Sequence, residues 1–301
     1  NPSGTTLLLE GGVFIWPGVR IGNERKIAVG GNLHVVLKTV SLRPLVLEVH
    51  NFMTPEESEK LIEIGRPHMG ASAVSHMDGD ENKADTTWRT STTHFISRGA
   101  SDWAKSVERR VRDATRIPIS HGEGAQILRY EKTQHYFTHH DYFDPKRYTH
   151  SKSTLRMVEN GAKNRHGTVL WYMSDVEKGG ATNFPMSGGL SAPSDTTKCS
   201  QGLSVHPQRG KVVIFYNMLP DGSFDDTSLH AGCAVENGVK WAANKWLWNK
   251  PIEGAWDGDE NDLLHESGKL LDPKMRTIEE QQRKQLLERL GSAAAELKEE
   301  S

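Results

Sequence analysis

Two histidines precede an aspartate in the segment THHDYFDP, residues 138–145, and these residue types could together bind a metal ion. In a β-strand, side chains two residues apart lie on one face, and immediate neighbours lie on opposite faces. His139 and Asp141 can therefore reach one ion, whereas His140 points the other way. Tyr136 would be out of phase with His139 unless a bend or bulge precedes the pair.

His230 is the third candidate ligand, and it lies in a distant segment at the start of another predicted strand. The pair His139 and Asp141 alone is a weak signal, because the chain has 14 histidines and a surface strand with solvated polar groups is the alternative. Two imidazoles and one carboxylate on one face of a metal leave neighbouring positions open, as in the non-haem iron(II) oxygenases. Zinc hydrolases use similar ligands, but the chain lacks the helical H-E-x-x-H pattern.

Lys240 begins the next predicted strand and shares one face of it with Ala242, Asn244 and Trp246. A lysine on an inward face is rare without a partner. A 2-oxo acid with a second carboxylate is a suitable partner, because a buried cation offsets the desolvation of that carboxylate. The alternative is an edge-strand charge that discourages aggregation.

The elements that position these residues are predicted to be mostly strands, joined late in the chain by turns or polar loops without helices. FIWPGV resembles an edge strand that Pro17 interrupts. Apolar or alternating runs predict the other strands, which are HVVLKTV, RPLVLEV, WRTSTTHFIS, AQILRYE, YFTHHDYF, GTVLWYMS, KVVIFYN, LHAGCAV and KWAANKWLW.

Two amphipathic helices are predicted before the later strands. Thr54, followed by a proline and two glutamates, is typical of a helix N-cap. Residues 102–114 place Trp103, Val107 and Val111 on one helical face. Many strands after two helices, without βαβ alternation, favour an α+β, mainly β fold: an antiparallel barrel or double-stranded jelly roll with helices packed outside.

Composition excludes several classes of protein. The net charge of −2 and the pI of 6.8 give no reason to expect nucleic acid or an anionic membrane as a partner. No apolar run approaches the ~18 residues needed to span a bilayer. Two cysteines exclude a disulfide-dense scaffold and a four-cysteine zinc site.

The chain is long enough for one large domain, with an extension at each end. The C-terminal extension is predicted to be partly helical. Its segment TIEEQQRKQLLERL is either an amphipathic helix docked on the body or on a partner, or a solvated, frayed helix. The extensions would serve in oligomerisation or cover strand edges.

Three segments carry a resemblance to a known family. They are similar to prolyl 4-hydroxylases of the collagen and plant or algal type. The segments are QILRYEKTQHYFTHHDYF, LWYMSDVEKGGATNFP, and GKVVIFYN with the following LPDGSFDDTSLHAGCAVENGVKWAANKWLW. The resemblance covers roughly residues 42–250, and it therefore implies a catalytic domain over residues 42–250 with extensions at residues 1–41 and 251–301. It implies a double-stranded β-helix core and hydroxylation of peptidyl proline to 4-hydroxyproline, in which 2-oxoglutarate and O2 yield succinate and CO2.

The resemblance also assigns roles to individual residues. It implies that His139, Asp141 and His230 bind Fe(II), and that Lys240 pairs with the distal carboxylate of 2-oxoglutarate. Two aromatic residues would complete the co-substrate pocket; otherwise they are ordinary core residues. These are Tyr130, through its hydroxyl, and Trp246, as a wall. Ascorbate is the expected reductant, and an intact Asp141 argues for hydroxylation over halogenation.

For a proline-containing peptide or protein, the resemblance implies a channel lined by four residues, which are Arg89 in WRTS, Glu123, Tyr136 and Arg165. The loop GDENKADTT before Arg89 resembles a flap that closes over the substrate and expels water.

Cys199 and Cys233 correspond to a cysteine pair that forms a disulfide in part of this family; two buried free thiols are the alternative. A bridge would favour the secretory pathway and its endoplasmic reticulum. Because the chain begins at Asn1, we expect any signal or anchor segment to lie upstream of it.

Two other functions remain open at this point. A related 2-oxoglutarate oxygenase that acts on another residue, such as lysine, would keep the same iron and co-substrate groups. A non-catalytic jelly-roll binding module would keep the fold without the metal.

Overall fold

Antiparallel strands dominate the computed structural model, which describes residues 13–252 apart from residues 32, 76, 79–84 and 98–101. The side chains at positions 85, 86, 102 and 103 are also outside the description. The chain divides into two compact units, and all the described residues belong to the first, Asn1–Gly258.

The described residues form fifteen strands. In chain order these are β1 (Glu24–Val29), β2 (Leu33–Leu42), β3 (Leu45–His50), β4 (Gly70–Ala71), β5 (Thr92–Ile96), β6 (Ala125–Tyr130), β7 (Tyr136–His139), β8 (Arg165–Tyr172), β9 (Lys178–Gly179), β10 (Thr182–Phe184), β11 (Leu203–Val205), β12 (Val212–Tyr216), β13 (His230–Gly232), β14 (Val235–Asn237) and β15 (Lys240–Trp248).

Four α-helices accompany these strands in the described part of the chain. They are α1 (Pro55–Gly65), α2 (Asp85–Trp88), α3 (Asp102–Thr115) and α4 (Lys152–Met157). Single turns of 3-10 helix occur at Arg66–His68, Ile119–His121, Pro145–Arg147, Glu159–Gly161 and Asp226–Ser228. None of the described helices is both long enough and apolar enough to cross a bilayer.

Two sheets organise the strands. The larger sheet has nine strands in the order β1-β2-β3-β12-β8-β15-β6-β5-β4, and the smaller has four in the order β11-β10-β13-β7. Strands β9 and β14 pair separately. Leu128, Tyr172 and Phe215 of the larger sheet share one buried cluster with Phe184 and Val205 of the smaller sheet. The two sheets therefore pack face to face as the predicted jelly roll.

Helices α1 and α3 cover the other face of the larger sheet. Leu61 and Ile62 of α1 and Val107 and Val111 of α3 belong to the buried cluster on that face. Helix α1 begins with the predicted cap: the Thr54 side chain accepts a hydrogen bond from the Glu57 backbone, and the Glu57 side chain accepts one from the Thr54 backbone. Both predicted helices are confirmed; the side chain of Trp103 lies outside the description.

The side chains of strand β8 point alternately into the two buried clusters, one on each face of the larger sheet. Val169 and Trp171 belong to the helix-side cluster, whereas Leu170 and Tyr172 belong to the cluster between the sheets. Because side chains alternate along a strand, Thr168 shares the inter-sheet face with Leu170 and Tyr172. This face carries the candidate site.

Three sequence predictions differ from the structure. FIWPGV is not a strand, because Ile15 and Trp16 are buried and the Trp16 indole donates a hydrogen bond to the Ala114 carbonyl at 2.6 Å, which anchors the segment on α3. The polar connection between β7 and β8 contains α4, whose first turn is capped by the Ser151 side chain. Within the predicted extension 1–41, β1 and nearly all of β2 are strands of the larger sheet. The predicted C-terminal helix lies outside the described residues.

Candidate active site

The three predicted metal ligands come together at the end of the smaller sheet. His139 and His230 lie directly opposite each other on β7 and β13, and Asp141 follows β7 by two residues. His139 Nε2 lies 3.8 Å from Asp141 Oδ1, and His230 Nε2 lies 3.6 Å from Asp141 Oδ2. One ligand atom from each residue lies within 4.8 Å of the others. The arrangement can bind one metal ion on one face.

Both imidazoles present the same ring nitrogen to this point. His139 Nδ1 lies 2.8 Å from the Phe137 carbonyl oxygen, and His230 Nδ1 lies 3.0 Å from the Ser228 carbonyl oxygen. A carbonyl oxygen only accepts, so each Nδ1 carries the proton and each Nε2 lone pair is free for a metal. Burial, followed by the nearby His230, lowers the pKa of His139 well below its usual value, which keeps that ring neutral. The donor set fits a divalent transition metal such as Fe(II).

A β-bulge places a third ring beside these ligands. Strand β7 pairs with β13 at His139 opposite His230 and at Tyr136 opposite Gly232, so β7 has one extra residue between the two pairs. The Tyr136 ring consequently stacks on the His139 ring, with centroids 3.6 Å apart. This is the bulge that would bring Tyr136 into phase.

The Asp141 carboxylate is 4% exposed and remains ionised. Burial acts to raise its pKa, but the two histidines, the Arg165 guanidinium and a hydrogen bond from the Thr168 hydroxyl lower the pKa to about 2. The Thr168 hydroxyl donates to Asp141 Oδ2 at 2.7 Å. A negatively charged ligand is therefore available over the whole physiological pH range.

Lys240 lies in a small pocket next to the metal ligands, between the two sheets. Residues from both sheets line this pocket, and they include Tyr130, His139, Thr182, His230, Lys240, Ala242 and Asn244. Lys240 is 3% exposed, and within the described part of the chain its ammonium group forms no hydrogen bond or ion pair with protein. Burial lowers the pKa of Lys240 to about 7. A buried cation without a protein partner suits an anionic ligand.

The two aromatic residues predicted for this pocket lie in different places. Tyr130 pairs with Lys240 across β6 and β15, and the ammonium group lies 5.2 Å from the ring centroid. Trp246 is on the predicted face of β15 but lines a larger, neighbouring cavity. There the Arg165 guanidinium lies 3.8 Å from the Trp246 ring centroid. Two residues on this face, Ala242 and Asn244, lie between Lys240 and Trp246, which places Trp246 at the larger cavity.

The larger cavity has a volume of about 740 Å³ and opens beside the metal ligands. Its walls include Arg89, Tyr136, Arg165, Trp246, His139 and Asp141. Arg89 is buried: its guanidinium donates to Gln126 Oε1 at 3.1 Å and lies 4.6 Å from the Tyr136 ring centroid. Three of the four predicted peptide-channel residues therefore line one cavity. The predicted flap lies largely outside the described residues.

Glu123, the fourth predicted channel residue, does not line the cavity but holds Arg165. Its carboxylate accepts two hydrogen bonds from Arg165, at 2.7 and 3.1 Å, and one from the Trp248 indole at 2.7 Å. Arg165 Nη1 also donates to the Asp141 backbone carbonyl at 3.3 Å. Glu123 thereby fixes the guanidinium between the cavity and the metal ligands.

Cys199 and Cys233 form a disulfide, with Cα atoms 6.0 Å apart. The bond ties the polar loop before β11 to the residue that follows β13, the strand of His230. In the chain-entropy model, a loop of this length stabilises the fold by about 4 kcal/mol.

Three residues of the site escaped the sequence-based prediction. Thr168 and Tyr172 could have been found from the alternation along β8, where a threonine on an otherwise apolar strand faces inward with every second residue. At the Lys240 pocket the Tyr172 hydroxyl donates to the Val205 carbonyl at 3.0 Å and lies within hydrogen-bond distance, 2.7 Å, of Thr182 Oγ1. Thr182 lies on a strand of three residues, which is too short to show a periodic pattern.

Comparison with known proteins agrees with this geometry. Residues 125–248 match the model of the 2OG-Fe(II) oxygenase superfamily, and this stretch contains β6 to β15 with the three candidate ligands. The chain is 42% identical over 217 residues to probable prolyl 4-hydroxylase 10 of Arabidopsis thaliana, covering 70% of this chain and 71% of that protein. It is 39% identical over 222 residues to prolyl 4-hydroxylase 5 of the same plant, covering 72% of each. The chain belongs to the prolyl 4-hydroxylase family.

Among solved structures, the viral collagen prolyl hydroxylase of Paramecium bursaria Chlorella virus-1, in its 2OG complex, aligns with a TM-score of 0.47 at 20% identity. The alignment covers 67% of this chain and 95% of that one.

Proposed function

We propose that this chain hydroxylates proline residues of a peptide or protein at carbon 4, with Fe(II) as cofactor, 2-oxoglutarate and O2 as co-substrates, and succinate and CO2 as co-products. The observation that carries the proposal is the meeting of His139, Asp141 and His230 beside the buried ammonium group of Lys240. Membership of the prolyl 4-hydroxylase family supports proline as the target residue.

His139, Asp141 and His230 would hold Fe(II) through two Nε2 atoms and one carboxylate oxygen. The chemistry that iron supplies in such a site is the activation of O2, coupled to the oxidative decarboxylation of 2-oxoglutarate. The protein contributes two imidazoles oriented through their Nδ1 hydrogen bonds and a carboxylate that stays ionised.

Lys240 would bind the distal carboxylate of 2-oxoglutarate. His139 and His230 line the same pocket as Lys240, so a co-substrate held by Lys240 would have its keto acid end near the residues that would hold the metal. Tyr130 and Thr182 place hydroxyl groups in the same pocket wall and would donate hydrogen bonds to this carboxylate. The pocket removes the carboxylate from water, which strengthens its attraction to the ammonium group.

Arg89, Tyr136 and Arg165 would position the peptide in the larger cavity. Each is fixed by a protein contact before the substrate arrives: Arg89 by Gln126, Tyr136 by the His139 ring, and Arg165 by Glu123. Catalysis benefits from such pre-organisation, because the target C–H bond must be held close to the reacting oxygen.

Ascorbate is the proposed reductant that keeps the iron ferrous, and the secretory pathway, in the endoplasmic reticulum, is the proposed location. The Cys199–Cys233 disulfide supports an oxidising compartment. Omission of ascorbate from the assay should lower the number of turnovers per enzyme, and full turnover without any reductant would contradict this part of the proposal.

The direct test is incubation of the protein with Fe(II), 2-oxoglutarate, ascorbate and a panel of proline-bearing and lysine-bearing peptides. We expect a 16 Da mass gain only on proline peptides, with equimolar succinate, and 4-hydroxyproline on amino-acid analysis. Hydroxylation of lysine peptides alone would replace the proposed substrate class. Absence of iron-dependent succinate release with every peptide would leave only a binding module.

A further inference from the structure

A buried hydroxyl group contacts the Asp141 carboxylate on the side away from solvent. Thr168 Oγ1 donates a hydrogen bond to Asp141 Oδ2 at 2.7 Å, and the two residues are 1% and 4% exposed. Thr168 lies on β8 opposite Phe215 of β12 and Trp246 of β15, in the middle of the larger sheet. The position of its side chain is therefore set by strand pairing on both sides.

The direction of this hydrogen bond is set by a second buried residue. Asn217 Nδ2 lies 3.2 Å from Thr168 Oγ1, and an amide nitrogen only donates. The threonine oxygen thus accepts from Asn217, and its single proton is directed to Asp141. The Asn217 backbone is fixed in turn by hydrogen bonds to the His166 carbonyl and from the Asp225 amide, at 2.8 and 2.9 Å.

This chain of donors distinguishes the two carboxylate oxygens of Asp141. Oδ2 accepts the Thr168 hydrogen bond with one of its lone pairs, whereas no protein donor in the described part of the chain reaches Oδ1. A carboxylate that binds a metal through both oxygens occupies two coordination positions, and one that binds through a single oxygen occupies one. Of six positions, the triad must leave two for the keto acid of 2-oxoglutarate and one for O2.

We propose that Thr168, oriented by Asn217, is a positioning residue that keeps Asp141 bound to the metal through one oxygen, so that the co-substrate finds two adjacent positions free. The inference rests on the proposed function. It predicts that loss of the Thr168 hydroxyl frees Oδ2 to bind the metal as well, at the expense of 2-oxoglutarate.

The test uses Co(II), which is redox-stable and has a coordination-sensitive absorption spectrum, in the complete chain without peptide. The Thr168→Val variant keeps the side-chain shape and removes the donor. At saturating Co(II), we expect its dissociation constant for 2-oxoglutarate, measured by calorimetry, to rise at least about tenfold, which is the lower end of the effects that outer-sphere partners have on metal sites. The absorption change that accompanies 2-oxoglutarate binding should shrink in parallel. Thr168→Ser, which restores the hydroxyl, should return both measurements to within about threefold of wild type.

A matched control is Thr115→Val, which removes another buried threonine hydroxyl that donates to a backbone carbonyl in α3, far in sequence from the ligands. Thr115→Val should change stability without changing 2-oxoglutarate affinity.

If Thr168→Val does not fold, as judged by its thermal melting without metal, Thr168→Ala removes the same hydroxyl with less steric demand. A 2-oxoglutarate affinity within twofold of wild type in the hydroxyl-free variant, at saturating Co(II), overturns the inference. Failure of the wild type to bind Co(II) and 2-oxoglutarate would instead overturn the proposed function.

Discussion

Lys240 and Tyr130 face each other across strands β15 and β6, with the ammonium group 5.2 Å from the tyrosine ring centroid. The pairing is set by sheet register, so the cation stays beside the metal ligands, and no carboxylate among the described residues forms an ion pair with it. Such a site is built for an anion that arrives from solution.

Removal of the Lys240 charge should affect the co-substrate and spare the peptide. Truncating one partner of a buried charge pair costs at least about 2 kcal/mol, or roughly thirtyfold in affinity. We therefore expect Lys240→Ala to raise the KM for 2-oxoglutarate about thirtyfold or more, with a much smaller change in the KM for peptide. Steady-state kinetics with each substrate varied in turn measures both. The exposed Lys178 provides a control, since Lys178→Ala should change neither; equal effects of Lys240→Ala on both substrates would contradict the assigned role.

The pH dependence of stability should carry the signature of the same lysine. Its pKa is about 7 in the folded protein and 10.5 in its ordinary state, so between these values the unfolded chain binds more protons. The free energy of unfolding therefore rises as the pH increases from about 7 to 10.5. Below pH 7 the lysine is charged in the folded protein, and the free-energy cost of burying that charge is largest. Without 2-oxoglutarate, Lys240→Met should be more stable than wild type at pH 6, and the difference should shrink toward pH 10. Chemical denaturation at several pH values measures this difference, and a constant offset would refute the prediction.

Loss of one imidazole should remove the metal without removing the fold. His230→Ala is expected to abolish succinate production and to weaken Co(II) binding in calorimetry, with little change in the far-UV circular dichroism spectrum. His94→Ala, a histidine on β5 that is not among the ligands, should retain metal binding and activity. Full activity of His230→Ala would exclude His230 from the ligand set.

Loss of the contact between Glu123 and Arg165 should lower kcat/KM for the peptide and leave the binding of 2-oxoglutarate unchanged. Hydrogen bonds to charged groups contribute about 1.5–3 kcal/mol, so Glu123→Gln should lower kcat/KM for peptide by about tenfold or more while the affinity for 2-oxoglutarate stays near that of wild type. Glu131→Gln is the matched control, because Glu131 also accepts a hydrogen bond from an arginine, Arg129, but on the exposed end of β6. A loss of equal size in both variants would mean that the effect is not specific to the cavity.

Reduction of the disulfide should lower stability more than activity. Replacing Cys199 and Cys233 by serine is expected to reduce the free energy of unfolding by about 4 kcal/mol and the Tm by about 10 °C. Differential scanning calorimetry of the double variant, with wild type in the presence and absence of reductant, measures the loss. An unchanged Tm would show that the bridge does not constrain the unfolded chain.

Periodicity was sufficient to predict most of the fold, and residue spacing was sufficient for the metal ligands. The spacing of two residues predicted that His139 and Asp141 reach one ion, and their ligand atoms do lie together, although β7 ends at His139 and the strand predicted through Phe143 does not continue to Asp141. Lys240 begins the long strand predicted from KWAANKWLW. The stacking of Tyr136 on His139 depends on a β-bulge, which arises from the pairing of two distant strands and leaves no local signal.

Contacts between distant segments account for the other differences. Trp16 is held by the carbonyl of Ala114 on α3, so FIWPGV packs as an irregular segment although its composition favours a strand. Glu123 is polar and close to the cavity, but its two hydrogen bonds to Arg165 make it a support for the guanidinium. Spacing along the chain carries no information about either contact.

The alternation of β8 has a consequence for how this protein can change over time. Val169 and Trp171 fill the layer under the helices, whereas Thr168, Leu170 and Tyr172 face the catalytic side. A one-residue insertion or deletion in this strand would exchange the two sets and damage folding and chemistry together. New substrate preferences are therefore expected to evolve by changes of length in the connecting segments around the cavity, while the central strands tolerate only replacement in place.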